Sequence, residues 1–152
     1  MNKLKYREAW RWPGQVEDFI RQQCEGFVVH VMNGDSKLGD ARIDLYSEST
    51  DIRADALHLP LKSAAADTVV CDPPWNMPDH EKYKLMIEIR RVLKLGGKLI
   101  LRAPWNPKCP GMKIEGIWVP EWQLMRFSHI ALIWVARKYR AMMEQVCDAR
   151  LG

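Results

Sequence analysis

The chain has 152 residues, 47% hydrophobic and 28% charged, with a formal net charge of +4. That size and balance predict one domain over 1–152 with one core, without a separate target-recognition domain, and exclude a low-complexity or disordered class. No apolar run approaches the ~18 residues that a membrane-spanning helix needs, and the modest positive charge permits a nucleic-acid partner without demanding one.

The N-terminus, Met1–Glu8, lacks the apolar stretch of a signal peptide. Cys24, Cys71, Cys109 and Cys147 are scattered and form no C-x-x-C pair, so they read as free thiols of a cytoplasmic protein. His30, His58, His80 and His129 are equally scattered, which predicts no metal site. Seven tryptophans are many for this length, and some are expected to form stacking surfaces.

In chain order, Val16, Phe19, Ile20 and Cys24 recur at helical spacing, with Glu17 four residues before Arg21, so Trp12–Cys24 is an expected amphipathic helix started by Pro13 and ended at Glu25-Gly26. Phe27–Val31 reads as a strand, followed by the turn cluster Asn33-Gly34-Asp35-Ser36. Ala41–Tyr46 alternates like a second strand, and Asp51–Ala54 reads as a short third one. Thr68–Cys71 is the fourth. Glu81–Leu95 carries Leu85, Met86, Ile89, Val92 and Leu93 on one apolar stripe, and Gly96-Gly97 is the expected left-handed helix cap. Lys98–Leu101 then reads as a fifth strand; strand, helix, Gly-Gly and strand make a βαβ unit with a parallel sheet. Residues Ala103–Pro120 are too broken by proline and glycine to assign. Ile130–Ala136 reads as a late strand, and Lys138–Leu151 as a final basic helix.

Four features follow the first four strands in order: the Asn33–Ser36 turn, Asp44, Asp55 and Asp72-Pro73-Pro74-Trp75. In open parallel sheets ligands sit outside the carboxyl ends of the strands, where all four fall. Two consecutive prolines fix φ twice and remove two backbone donors, so the fourth strand must stop there. The resulting rigid loop presents a carboxylate, carbonyl oxygens and a flat indole, groups that suit a planar amine.

The chain resembles class I S-adenosylmethionine-dependent methyltransferases, and within them the amino-methylating enzymes with a D-P-P-W/Y loop. The turn after strand one is similar to their G-x-G-x-G loop, with Met32 for the first glycine, Gly34 for the second and Ser36 for the third. Ala54-Asp55-Ala56-Leu57-His58-Leu59-Pro60-Leu61 is similar to their "DA-x-x-LP-F" phrase, and Arg91–Leu99 to their "R-x-L-K-P-G-G" phrase. The resemblance covers Phe27–Leu101 best. It implies an α/β Rossmann-like fold: a mostly parallel central sheet, an antiparallel late strand and a shortened first crossover helix. Asp44 lies only ten residues after Gly34, where a full helix would need about twenty, so that crossover must be very short or replaced by a loop.

The resemblance further implies S-adenosylmethionine as cofactor, held by Met32, Asn33, Gly34, Ser36, Asp44, Asp55, Ala56 and Asp72. Asp44 would meet the ribose hydroxyls, Asp55 the adenine amino group and the next backbone N–H the adenine ring. Asp72 and the Pro73 carbonyl would accept hydrogen bonds from the target amine, with Pro74 stiffening the loop and Trp75 stacking on the target ring. An acid at 72 with a tryptophan at 75 points towards adenine N6 of a nucleic acid, DNA ahead of RNA, with the base flipped into the pocket. Trp105, Lys108, Lys113 and Trp118 in the Ala103–Pro120 segment form the candidate substrate loop, and a second copy or a specificity partner could add target recognition. The alternatives are an RNA base, a protein glutamine or a small-molecule amine as substrate, or a non-catalytic subunit of the same fold.

Overall fold

The computed structural model describes Trp12, residues 14–119 and residues 131–140. In chain order the elements are α1 (Gly14–Gln23), β1 (Val28–Val31), β2 (Ala41–Asp44), β3 (Ile52–Arg53), β4 (Ala66–Cys71), α2 (Asp79–Val92), β5 (Leu93–Ala103), β6 (Met112–Trp118) and β7 (Leu132–Lys138). The seven strands form one sheet in the order β3-β2-β1-β4-β5-β7-β6. Pairs among β1 to β5 are parallel, and β7 runs antiparallel to both β5 and β6.

Side chains alternate across a strand, and here the alternation feeds two cores. Val28, Val70, Ile100, Ile133 and Val135 pack with Trp12, Val16, Ile20 and Leu38 on the α1 face. Val29, Val31, Ile43, Val69, Cys71, Leu99, Leu101, Trp134 and Ala136 pack with Leu85, Met86, Ile89 and Val92 of α2 on the other. Because β1, β4 and β5 are covered on both faces, they read as continuous apolar runs.

Each helix delivers its carbonyl end to a lysine from the sheet. Lys98 Nζ donates to Gln23 O at 2.8 Å, at the end of α1. Lys138 Nζ donates to Arg90 O at 2.8 Å and Leu93 O at 2.7 Å, at the end of α2. A cation there satisfies orphan carbonyls and complements the helix dipole.

Several expectations are refined. The β1–β2 connection, residues 32–40, contains no helix; it is a loop of turns and bends. The apolar stripe of α2 is as expected, but the Gly-Gly pair is not its cap. The helix ends at Val92, Leu93 is already extended with φ −70° and ψ 135°, and β5 starts there. Gly96, at φ 78°, lies inside β5 instead, beside an irregular register between β4 and β5. A Cβ on Gly97 would stand 2.8 Å from Lys94 O and 3.2 Å from Asp67 O, so the second glycine lets strand backbones approach. The unassigned segment contains β6, an edge strand. Its shift at Ile114/Gly116 breaks the period-two pattern that would have revealed it. The late strand spans Leu132–Lys138 within the described residues and takes in Lys138, whereas Ile130 lies outside them. Tyr139 and Arg140 are not helical, and the rest of the expected final helix lies outside the described residues, as does Pro13.

Candidate active site

Strand register brings the sequence-predicted residues to one edge. Val31 pairs with Ile43 on one side and Cys71 on the other, so Met32, Asp44 and Asp72 begin their loops at the same level. Cys71 pairs with Leu101, which places Arg102 beside Asp72. Asp44 pairs with Arg53, two residues before Asp55.

The loop after β1 keeps a glycine-like backbone without the glycine. Met32 has φ 56° and Gly34 has φ 52°. The left-handed region costs an L-residue about 1–2 kcal/mol, and such strain persists only where surroundings impose it. Here the Met32 N–H donates to Ile43 O at 2.7 Å, and its side chain packs on the α2-face core. Asn33 is buried, and its Nδ2 donates to the carbonyls of Gly34 (2.9 Å), Ser36 (3.1 Å) and Ser49 (3.4 Å). Its Oδ1 is enclosed without a partner. Ser36 donates from Oγ to Glu17 Oε2 at 3.1 Å and accepts from Leu38 N, tying the loop to α1.

Asp44 is the brace of this half. Its Oδ2 accepts from Gly34 N at 3.1 Å; its Oδ1 accepts from Tyr46 N at 2.8 Å and Ser47 N at 2.9 Å. A carboxylate has about four acceptor positions, so the three bonds leave room for one further donor, such as a hydroxyl. Asp55 is more open: its side chain is 50% exposed, and Oδ1 accepts from Leu57 N at 2.9 Å. Ala56 beside it is buried in the α2-face core.

The Asp72–Trp75 loop leaves β4 as expected, and the Pro74 carbonyl accepts from Met77 N at 3.2 Å to close a turn. The Asp72 carboxylate is engaged. Its Oδ2 accepts from Trp12 Nε1 and lies 3.4 Å from Arg102 Nη1. The Arg102 guanidinium also lies over the Trp75 ring, 5.4 Å from its centroid, within cation–π range. Burial pushes the Asp72 carboxyl above the usual carboxylate range, opposed first by the Arg102 charge and then by hydrogen bonds from Trp12, Arg102 and Trp75.

Behind this group, His30 is fully buried and stacks on Trp12 with ring centroids 5.1 Å apart. Its Nδ1 lies 3.1 Å from Leu38 O, and burial lowers its pKa to about 4, so the ring is neutral at pH 7.

Trp12, His30 and Arg102 are the site residues that sequence reasoning missed. Arg102 had a signal: it follows the fifth apolar run as Asp72 follows the fourth, and parallel neighbours in register put such positions side by side. Trp12 had none, since it reaches Asp72 across 60 residues.

The strand order, the antiparallel β7 and the acids at the carboxyl ends of β2 to β4 fit a methyltransferase fold. The model of the methyltransferase-domain family matches residues 17–101, and the chain belongs to that family. Its cofactor is S-adenosylmethionine and its chemistry is methyl transfer. No curated protein sequence matches the chain significantly. Solved structures with the same fold include an S-adenosylmethionine-dependent methyltransferase of Methanosarcina mazei, 14% identical, with 81% of this chain and 98% of that one covered at a TM-score of 0.60. A putative methyltransferase of Haloferax volcanii, solved with the Trm112 methyltransferase activator, is 13% identical over 90% of this chain and 93% of that one, TM-score 0.62. A [4+2]-cyclase is 13% identical over 84% of this chain and 81% of that one, TM-score 0.63.

The donor set after β1 to β3 suits this cofactor. Met32 and Gly34 hold a backbone that admits close approach, Asn33 Oδ1 lacks a partner, Asp44 has acceptor capacity for a hydroxyl and Asp55 presents a half-open carboxylate to an amino group. Among the described residues, no helix is long and apolar enough to cross a membrane.

Proposed function

We propose that the chain transfers a methyl group from S-adenosylmethionine to the exocyclic amino group of a nucleic-acid base, adenine N6 of DNA. The observation that carries this reading is the Asp72-Pro73-Pro74-Trp75 loop at the end of β4, its acid level with Met32 of the cofactor loop. The cofactor supplies an electrophilic methyl group on a sulfonium. Met32, Asn33, Gly34 and Ser36 shape its seat, Asp44 meets a ribose hydroxyl, and Asp55 with the Ala56 N–H meets the adenine ring. Asp72 and the Pro73 carbonyl accept the N–H bonds of the target amine and aim its lone pair along the line of displacement. They also stabilise the positive charge that develops on nitrogen. The target ring stacks on the Trp75 face that Arg102 leaves. Trp12 and Arg102 fix the Asp72 carboxylate beforehand, so little reorganisation is needed at the moment of transfer.

The test is incubation with labelled S-adenosylmethionine and, in parallel, DNA and RNA, followed by digestion and mass spectrometry of the nucleosides. N6-methyladenine from DNA is expected. Label confined to RNA, to another base or to protein glutamine would overturn the DNA-adenine assignment. A second reading, a methyltransferase-fold subunit without activity of its own, is favoured by the engagement of Asp72 Oδ2 by both Trp12 and Arg102. Its mark would be cofactor binding with no methylated product from any substrate.

A further inference from the structure

Between the start of α2 and the segment that follows β5 lies a cavity of about 220 Å³. It is lined by Asp79, Lys82 and Tyr83 from the first turns of α2 and by Trp105, Asn106 and Lys108 after β5, with Met86 beneath. The volume suits one ring or one phosphate rather than a complete cofactor, whose sites run to about 300–1,000 Å³.

Its chemistry is that of an anion next to a ring. Two lysines and one aspartate line it, and the Asp79 carboxylate is 97% exposed and well solvated. Lys82 Nζ lies 2.9 Å from Asp79 Oδ1 and 5.6 Å from the Trp105 ring centroid. The Trp105 indole N–H is enclosed without an acceptor, an uncompensated donor. Tyr83 is 55% exposed, too open for a core residue of its size.

Chain connectivity sets the distance to the amine site. Trp75 and Asp79 are four residues apart, so their Cα atoms lie within about 14 Å of each other. Arg102 and Trp105 are three apart. The expected substrate segment is thereby divided: Trp105 and Lys108 lie at the cavity, whereas Lys113 and Trp118 belong to β6, and Trp118 packs against Phe19 of α1 with ring centroids 5.5 Å apart.

We propose that the Lys82–Trp105–Lys108 cavity is a second nucleotide subsite, taking the phosphate and ring of the nucleotide next to the target base. The inference rests on the nucleic-acid reading of the Asp72–Trp75 loop and names residues that recognise the strand rather than the reacting amine. Base stacking on an aromatic tolerates any base, so this subsite gives strand affinity without sequence readout.

The experiment is fluorescence anisotropy of a single-stranded oligodeoxynucleotide over a salt series, with S-adenosylhomocysteine present. Wild type is compared with Lys82→Gln/Lys108→Gln and with Lys108→Glu alone, a single change of an exposed side chain that guards against misfolding of the double variant. The double variant should bind roughly tenfold more weakly at low salt. Its log–log salt slope should be shallower by about 0.7, the value for one phosphate contact on a single strand. Lys108→Glu should weaken binding in the same direction. Wild-type affinity and slope in both variants, or no binding by wild type, would overturn the subsite. Oligonucleotide binding that depends on these lysines without any methylated nucleoside would instead overturn the catalytic reading and leave the subsite standing.

Discussion

At the β1–β2 end of the sheet the residue types depart from the family's pattern and the backbone conformation stays; at the β4–β5 end the residue types stay and the side chains are engaged in an unanticipated way. In the first half, Met32 stands where a glycine is usual and still takes φ 56°, held by the Ile43 carbonyl and braced by Asp44 through Gly34. In the second, Asp72 stands where an acid is usual, yet Trp12 and Arg102 already hold its Oδ2. The lesson is that a loop built from main-chain shape tolerates substitution if neighbours supply the strain energy. A loop built from a side-chain charge depends on which charges sit beside it.

Breaking the second half should have the larger effect. Arg102→Leu removes the partner of a largely buried carboxylate, which typically costs about 3–5 kcal/mol, and a thermal or denaturant melt should show a loss near the lower figure because the 3.4 Å contact is long. The same variant tests the chemistry through pH. In the proposed reaction the ionised carboxylate is the acceptor, so methyl transfer is expected to rise with pH through the Asp72 pKa. Burial raises that pKa and the Arg102 charge lowers it. Removing Arg102 therefore moves the acid limb of the pH–rate profile to higher pH, and Arg102→Lys should restore part of the shift. An unmoved limb would mean that Asp72 is not the group titrating.

Breaking the first half should cost less. Met32→Val places a β-branched residue at positive φ, where it is a genuine outlier. Stability should fall by about 1–2 kcal/mol, and calorimetry should show weaker binding of S-adenosylhomocysteine, while Met32→Gly keeps the binding. Equal affinity in wild type and Met32→Val would separate the strained backbone from the cofactor seat.

Much of this was legible in the chain. Short strand-type runs followed by a turn or an acid located β1 to β4, and the stripe from Leu85 to Val92 located α2, because burial on one or both faces leaves a periodic trace. The spacing from Gly34 to Asp44 showed that the first crossover could not hold a full helix. What the sequence hid has a physical pattern. The β6 strand lies at an edge and is interrupted by a bulge, so it has little apolar alternation. Gly96-Gly97 resembles a helix cap because a left-handed glycine serves a strand bulge as well as a helix end. Trp12 and Lys98 act across long sequence separations, and pairing of that kind leaves no local signal.

The central claim is that Asp72 acts on the amine while the β1–β3 end holds the cofactor. Its most direct test is single-turnover transfer from labelled S-adenosylmethionine by Asp72→Asn, a nearly isosteric change, with S-adenosylhomocysteine binding measured on the same preparation. The account predicts that S-adenosylhomocysteine binding is retained, weakened at most a few-fold by the loss of the Asp72 charge, and that the transfer rate falls by about 10²–10³-fold, the range for losing one preorganised electrostatic group. Transfer at the wild-type rate with cofactor bound would contradict it.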